Sequence, residues 1–221
     1  MKLAAANECY PLLVELIDAC RREDFDTHAL ACILAISIAE SLRTGESLNS
    51  ATGLSFAQLR DLLDARFAVS LAVLAGIPAS EPVKRAEEEE NIRLLLMRFS
   101  TRGSSLAHLL SCLIARRAMR PNHLWQDLGL PNRAELSRLM QTHFEPMARR
   151  NGQDMKWKKF FYRMICGEEG FTLCAAPVCS ECADFDACFG DETGPSLLAR
   201  FAISPALVTL SVGSARPTES M

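Results

Sequence analysis

Four cysteines lie within fifteen residues near the C-terminus: Cys174, Cys179, Cys182 and Cys188, spaced C-x4-C-x2-C-x5-C. Intervals of four, two and five residues let one short segment wrap a single centre and present four thiolates to it. No helix or strand period generates that spacing, and Pro177 in the first interval works against a continuous helix. The pattern predicts a metal or iron–sulfur site rather than four unrelated buried thiols. Zinc and iron–sulfur centres both accept four thiolates, so ligand count does not choose between them. Structural zinc favours two C-x2-C pairs, and only Cys179 and Cys182 form one here. The first three positions instead follow the C-x4-C-x2-C order of plant-type ferredoxins, which tilts the geometry toward iron–sulfur and leaves zinc open.

Charge changes sign at the edge of this segment. Between Arg133 and Arg163 there are eight Lys or Arg against three acids, and between Met164 and Glu192 seven acids with no Lys or Arg. At 100° per residue, Lys156, Lys159 and Arg163 share one arc of a helix, while Trp157, Phe160, Phe161 and Met164 share another. The aromatic arc reads as core. The basic arc is either an ordinary solvated face or a means of offsetting thiolate charge and attracting an oxyanion. His123 and His143 are the histidines nearest in sequence; His123 is a candidate extra ligand, although a lone histidine more often packs or caps. Cys166 is a candidate spare ligand, whereas Cys9, Cys20, Cys32 and Cys112 sit in apolar, helical surroundings as small hydrophobes. No nucleophile–base constellation or phosphate loop stands out, so nothing in these residues supports ordinary enzymatic chemistry.

The elements that position these residues read as helices throughout. Apolar residues recur at three- and four-residue spacing over 8–21 and 27–42, with Asp26 or Thr27 as the cap of the second segment. A small, polar stretch runs from Thr44 to Gly53. Ser55 with Gln58 is a capping-box pattern that opens a helix through about Leu74, ended by Gly76, Pro78 and Pro82. Glu87–Glu90 forms the solvated start of the next helix, and Gly103-Ser104 begins another with Leu106, Leu109, Leu110 and Leu113 on its apolar face. HLWQDLGL supplies one or two helical turns. Asn132 with Glu135 caps a helix to about Arg149, and a last long helix covers Asp154 to Glu168. A short helix around Leu197–Phe201 precedes a frayed, polar end.

The prediction is an all-α, irregular helical bundle with a C-terminal cysteine-rich metal or cluster loop. It has a single domain over residues 1–192, in which 1–120 are N-terminal helices and 121–192 carry the cysteine loop 174–188; residues 193–221 form a short helix and flexible tail. The chain has 221 residues, 49% apolar and 23% charged, ordinary globular values that allow a sizeable core. A net charge of −3 gives no electrostatic case for nucleic-acid binding. The apolar run Ala29–Ala39 is too short for a bilayer span of about twenty residues, and MKLAAANECY lacks the form of a secretory signal. The expected location is the cytoplasm, where disulfides are rare and clustered thiols point to metal.

Residues 122–190 resemble the C-terminal half of the NifQ family. The resemblance rests on NHLWQDLGL (Asn122 to Leu130), RAELSRLM, MKWKKFFYR (Met155 to Arg163) and the cysteine run closing in CFG, all in one order. The N-terminal 120 residues are similar only in being helical, with a helix opened by GLS; the tail beyond Gly190 is a departure. The resemblance implies an iron–sulfur protein that combines molybdenum with iron and sulfide. It would pass the metal to nitrogenase cofactor-assembly proteins, the scaffold and the iron protein, which build the iron–molybdenum cofactor. Molybdate would be the incoming anion, and Cys174, Cys179, Cys182 and Cys188 match the family's cluster-binding cysteines.

Overall fold

The computed structural model describes residues 15–19, 21, 24–67, 83–168 and 185–198. Among them every regular element is helical and none is a strand. The central helix α1 (Phe25–Thr44) is buried on nearly every side from Ala29 to Ile38. It starts two residues before the apolar pattern suggests, because Asp24 is the cap and accepts the Thr27 N–H at 3.1 Å. It ends at Gly45, whose φ of 77° lets its N–H reach Ser41 O at 2.8 Å. By length and composition α1 could cross a bilayer, yet 72% of its most apolar window is covered by the rest of the protein. Inside so dry a setting its serines turn inward on the helix: Ser37 and Ser41 donate to Ile33 O and Ser37 O.

The polar stretch after α1 contains a short helix, α2 (Leu48–Thr52), capped by Ser47 and closed by Gly53. The Ser55–Gln58 capping box opens α3 (Phe56–Arg66) with both reciprocal bonds in place. That helix stops at Arg66 and Phe67 is extended, which corrects the expected end near Leu74; residues 68–82 lie outside the described part. Helix α4 (Glu87–Arg98) begins with the acidic run, but that run is not wholly solvated. Glu89 is buried and receives Arg116 Nε at 2.9 Å, a contact from α5 (Ala107–Ala118), against which α4 packs.

The single helix expected from Asn132 to Arg149 is two: α7 (Arg133–His143) and α8 (Glu145–Arg150), with the four-residue α6 (Leu124–Asp127) ahead of them. Pro146 explains the break, since it has no N–H to give to an ongoing helix and its fixed φ suits a first turn. Asn132 caps α7 as expected, accepting from Glu135 N at 3.1 Å. The last long helix, α9 (Trp157–Glu168), starts three residues later than Asp154, whose φ of 54° is not helical. Trp157, Phe160 and Phe161 are buried as the aromatic arc requires, with Trp157 and Phe160 edge to face at 5.8 Å. A short helix, α10 (Phe185–Phe189), follows the cysteine-rich stretch. One apolar core joins these helices, and Cys188, Phe189 and Leu198 pack on its edge.

Candidate metal centre

The site is built on a turn that only glycine can make. In NHLWQDLGL, α6 closes at Leu128 and the chain reverses at Gly129, with φ of 69°. A side chain there would begin 2.7 Å from Cys32 O and 3.1 Å from Ile36 Cβ, both on α1. The missing Cβ therefore lets the turn lie directly against the central helix. Gln126 then works in two directions: its Oε1 accepts the His123 N–H at 3.3 Å, and its Nε2 donates to Pro195 O at 3.1 Å. Asp127 is fully buried, takes Asn122 Nδ2 at 3.0 Å, and forms an ion pair with Lys158 of α9. Burial pushes the Lys158 ammonium below its usual pKa, and the hydrogen bond it donates to Asp127 opposes that shift. Two of the sequence motifs thus meet through one buried charge pair.

Of the four cysteines, Cys188 is described and Cys174, Cys179 and Cys182 lie outside the described residues. Cys188 is half-buried on α10 and is pinned to the entry of α9: Lys156 N donates to Cys188 O at 2.8 Å, and Lys156 Nζ donates to Asp186 O at 2.9 Å. Lys156 precedes α9 rather than riding on it. Lys159 is exposed one turn into the helix, and Arg163 is exposed a further turn on. Cys166 sits at the far end, about 14 Å from Trp157 along the axis at 1.5 Å per residue. The structure therefore separates it from Cys188. Among the described residues no three His, Cys, Asp or Glu gather into a metal-binding group.

Past α10 the chain is clamped by Glu192, whose side chain is only 4% exposed. It is ion-paired with Arg133, and His123 Nδ1 lies 3.2 Å from its other oxygen. Arg133 also holds Asp154 Oδ1 at 2.7 Å and Asp154 O at 2.9 Å, joining the start of α7 to the turn before α9. Burial works against the Arg133 charge, yet its hydrogen bonds to Asp154 and Glu192 raise its pKa above the ordinary value. His123 is thus placed as a partner of Glu192. His143 lies elsewhere, between Ser104 Oγ at 2.8 Å and Asp26 Oδ1 at 2.9 Å, and staples α1, α7 and the turn before α5. The roles of Glu192, Arg133 and Lys158 are invisible to residue spacing, because their partners lie 21 to 69 residues away.

The sequence that carries these motifs is similar to known proteins. The family model described as NifQ matches residues 29–190. "Protein NifQ homolog" of Sinorhizobium fredii is 42% identical over 177 residues, 78% of this chain and 75% of the relative. "Protein NifQ" of Rhodobacter capsulatus is 39% identical over 165 residues, covering 74% and 89%, and that of Azotobacter vinelandii is 38% identical over 109 residues, covering 49% and 55%. No solved structure matches the chain. The chain belongs to the NifQ family.

Proposed function

We propose that this chain binds an iron–sulfur cluster through Cys174, Cys179, Cys182 and Cys188, takes molybdenum from molybdate into a Mo–Fe–S cluster, and donates it for the iron–molybdenum cofactor of nitrogenase. Membership of the NifQ family implies a role in nitrogen fixation. The finer reading is carried by one observation: Cys188, the last cysteine of the run, is fixed at the cationic entry of α9 by both the backbone and the ammonium of Lys156.

The donor set fits such a group. Sulfur ligands suit iron and molybdenum–sulfur chemistry, whereas molybdate itself is a hard oxyanion that thiolates alone hold poorly. A thiolate-bound centre carries negative charge, and a centre that includes Cys188 would meet Lys156 and the N-terminal end of α9, where helix N–H groups collect partial positive charge. When bound, the cluster supplies the sulfide surroundings that molybdenum needs. The chain's own part is to hold the thiolates, to offset their charge, and to draw the anion in through Lys156, Lys159 and Arg163. Release also needs explanation in a donor. Cys188 sits half-buried on a five-residue helix at the edge of the core, a place from which cargo can leave without opening the bundle. The chain then acts as a cytoplasmic carrier rather than a catalyst, and its partners are the scaffold and the iron protein of cofactor assembly.

Replacing one ligand tests the reading. Cys179→Ser protein isolated without oxygen is expected to lose iron and to retain no molybdenum through purification. Wild-type molybdenum content in that variant would overturn the cargo role.

A further inference from the structure

The basic arc of α9 does not act as one surface. Lys156 turns to α10, whereas Arg163 lines a separate cavity of about 520 Å³ between α8, the turn at 151–155 and α9. Arg149 and Arg150 of α8 line it as well, so three guanidinium groups and no carboxylate appear among its described lining residues. Arg150 is held in place from outside: it donates to Pro146 O at 2.9 Å and lies over the Phe99 ring at 4.5 Å. A guanidinium has five N–H donors, so that single hydrogen bond leaves most of its fork for a ligand. Arg149 is ion-paired instead with Glu145 on its own helix, which offsets part of its charge and leaves its other N–H groups toward solvent. The turn beneath is rigid, because Asn151 is buried and exchanges two hydrogen bonds of 2.9 Å with the backbone of Met155. Met155, Phe160 and Met164 complete the lining with apolar surface, which limits water on that side and strengthens the field of the arginines.

We propose that this cavity binds a tetrahedral oxyanion of the molybdate class and holds it before the metal reaches the cysteines; the identity of the anion rests on the function proposed above. Forked guanidinium donors recognise tetrahedral oxyanions through paired, charge-assisted hydrogen bonds that a lysine cannot copy. Position supports a relay. Arg163 lies on α9 six residues beyond its first residue, Trp157, about 9 Å along the axis from the end of the helix where Lys156 pins Cys188.

Equilibrium dialysis of radiolabelled molybdate against the full chain tests this, with iron content measured on the same samples. Arg149→Gln/Arg163→Gln is expected to weaken reversible molybdate binding roughly 10–100-fold, the loss typical of charge-assisted hydrogen bonds, while iron content stays at the wild-type level. Arg163→Lys, which keeps the charge and loses the fork, is expected to weaken it less. Sulfate should compete, and binding should fall with ionic strength. Wild-type affinity in the double arginine variant, with its helical circular dichroism intact, would overturn the proposal. The two readings fail separately: Cys179→Ser protein that still binds molybdate reversibly supports the pocket, and if that variant keeps its iron, the cluster assignment falls and the pocket stands.

Discussion

Glu192→Gln removes one charge and almost no volume, and the structure makes its consequence calculable. The carboxylate is 4% exposed, and its partners Arg133 and His123 are 21% and 33% exposed. Breaking a fully buried ion pair by neutralising one member costs about 3–5 kcal/mol. Here the surviving guanidinium keeps Asp154 at 2.7 Å and some contact with water, and glutamine can still accept one hydrogen bond, so the loss should be about 2 kcal/mol. With a urea m-value of about 2 kcal/mol/M, the unfolding midpoint should fall by about 1 M. Arg133→Gln alone should cost at least as much, since it also abandons Asp154. A double-mutant cycle then separates the pair from its surroundings, and a coupling of about 1–2 kcal/mol is expected. The clamp follows Cys188 by only four residues, so Glu192→Gln should also lose iron faster to a chelator. A coupling below about 0.3 kcal/mol, within the scatter for independent sites, would refute the view that this pair fastens the end of the cysteine segment.

Other consequences follow from the same geometry. Gly129→Ala would place a Cβ 2.7 Å from Cys32 O at a φ of 69°, so a loss of about 3 kcal/mol or more is expected in denaturant unfolding, against about 1 kcal/mol for Gly103→Ala, where the φ of 83° is strained but a Cβ meets nothing within 4 Å. Asp24→Ala should cost about 1 kcal/mol at pH 7 through loss of the α1 cap. Hydrogen bonds from Thr27 hold the Asp24 carboxyl below its usual pKa of 3.8, so its contribution is present above that value and is lost as pH falls through the lower, folded one. The stability gap between wild type and Asp24→Ala should therefore close in acid unfolding below about pH 3.8, and a gap that persists there would show that the charge is not what caps the helix.

Local signals were legible and distant ones were not. Ser55 with Gln58 and Asn132 with Glu135 could be read because cap and partner lie three residues apart, and both bonds form. Ser47 and Gly53 offered the same kind of signal for α2, but five helical residues carry too little periodicity to announce themselves. Pro146 carried the signal for the break between α7 and α8, yet the expected helix ran through it to Arg149. Glu89 was different: its burial depends on Arg116, 27 residues on, and a run of four glutamates by itself looks solvated. In the site, the NifQ motifs spoke for the family, and of the four proposed thiolate ligands the described residues include Cys188. Spacing said nothing about why Asp127 and Lys158 stand in those motifs, because their pairing exists only once α6 and α9 are packed. The basic arc shows the limit most plainly. Helical phase put Lys156, Lys159 and Arg163 together, whereas packing gave Lys156 to α10 and Arg163 to the pocket beside α8.

Elemental analysis for iron, zinc and molybdenum, on protein isolated without oxygen from cells supplied with molybdate, bears most directly on the central claim. Brown protein with sulfur-to-iron charge-transfer absorption, iron and acid-labile sulfide, and molybdenum lost with the cluster on Cys179→Ser, is the expected result. Colourless protein holding about one zinc per chain on the same four thiolates, with neither iron nor molybdenum, would contradict it.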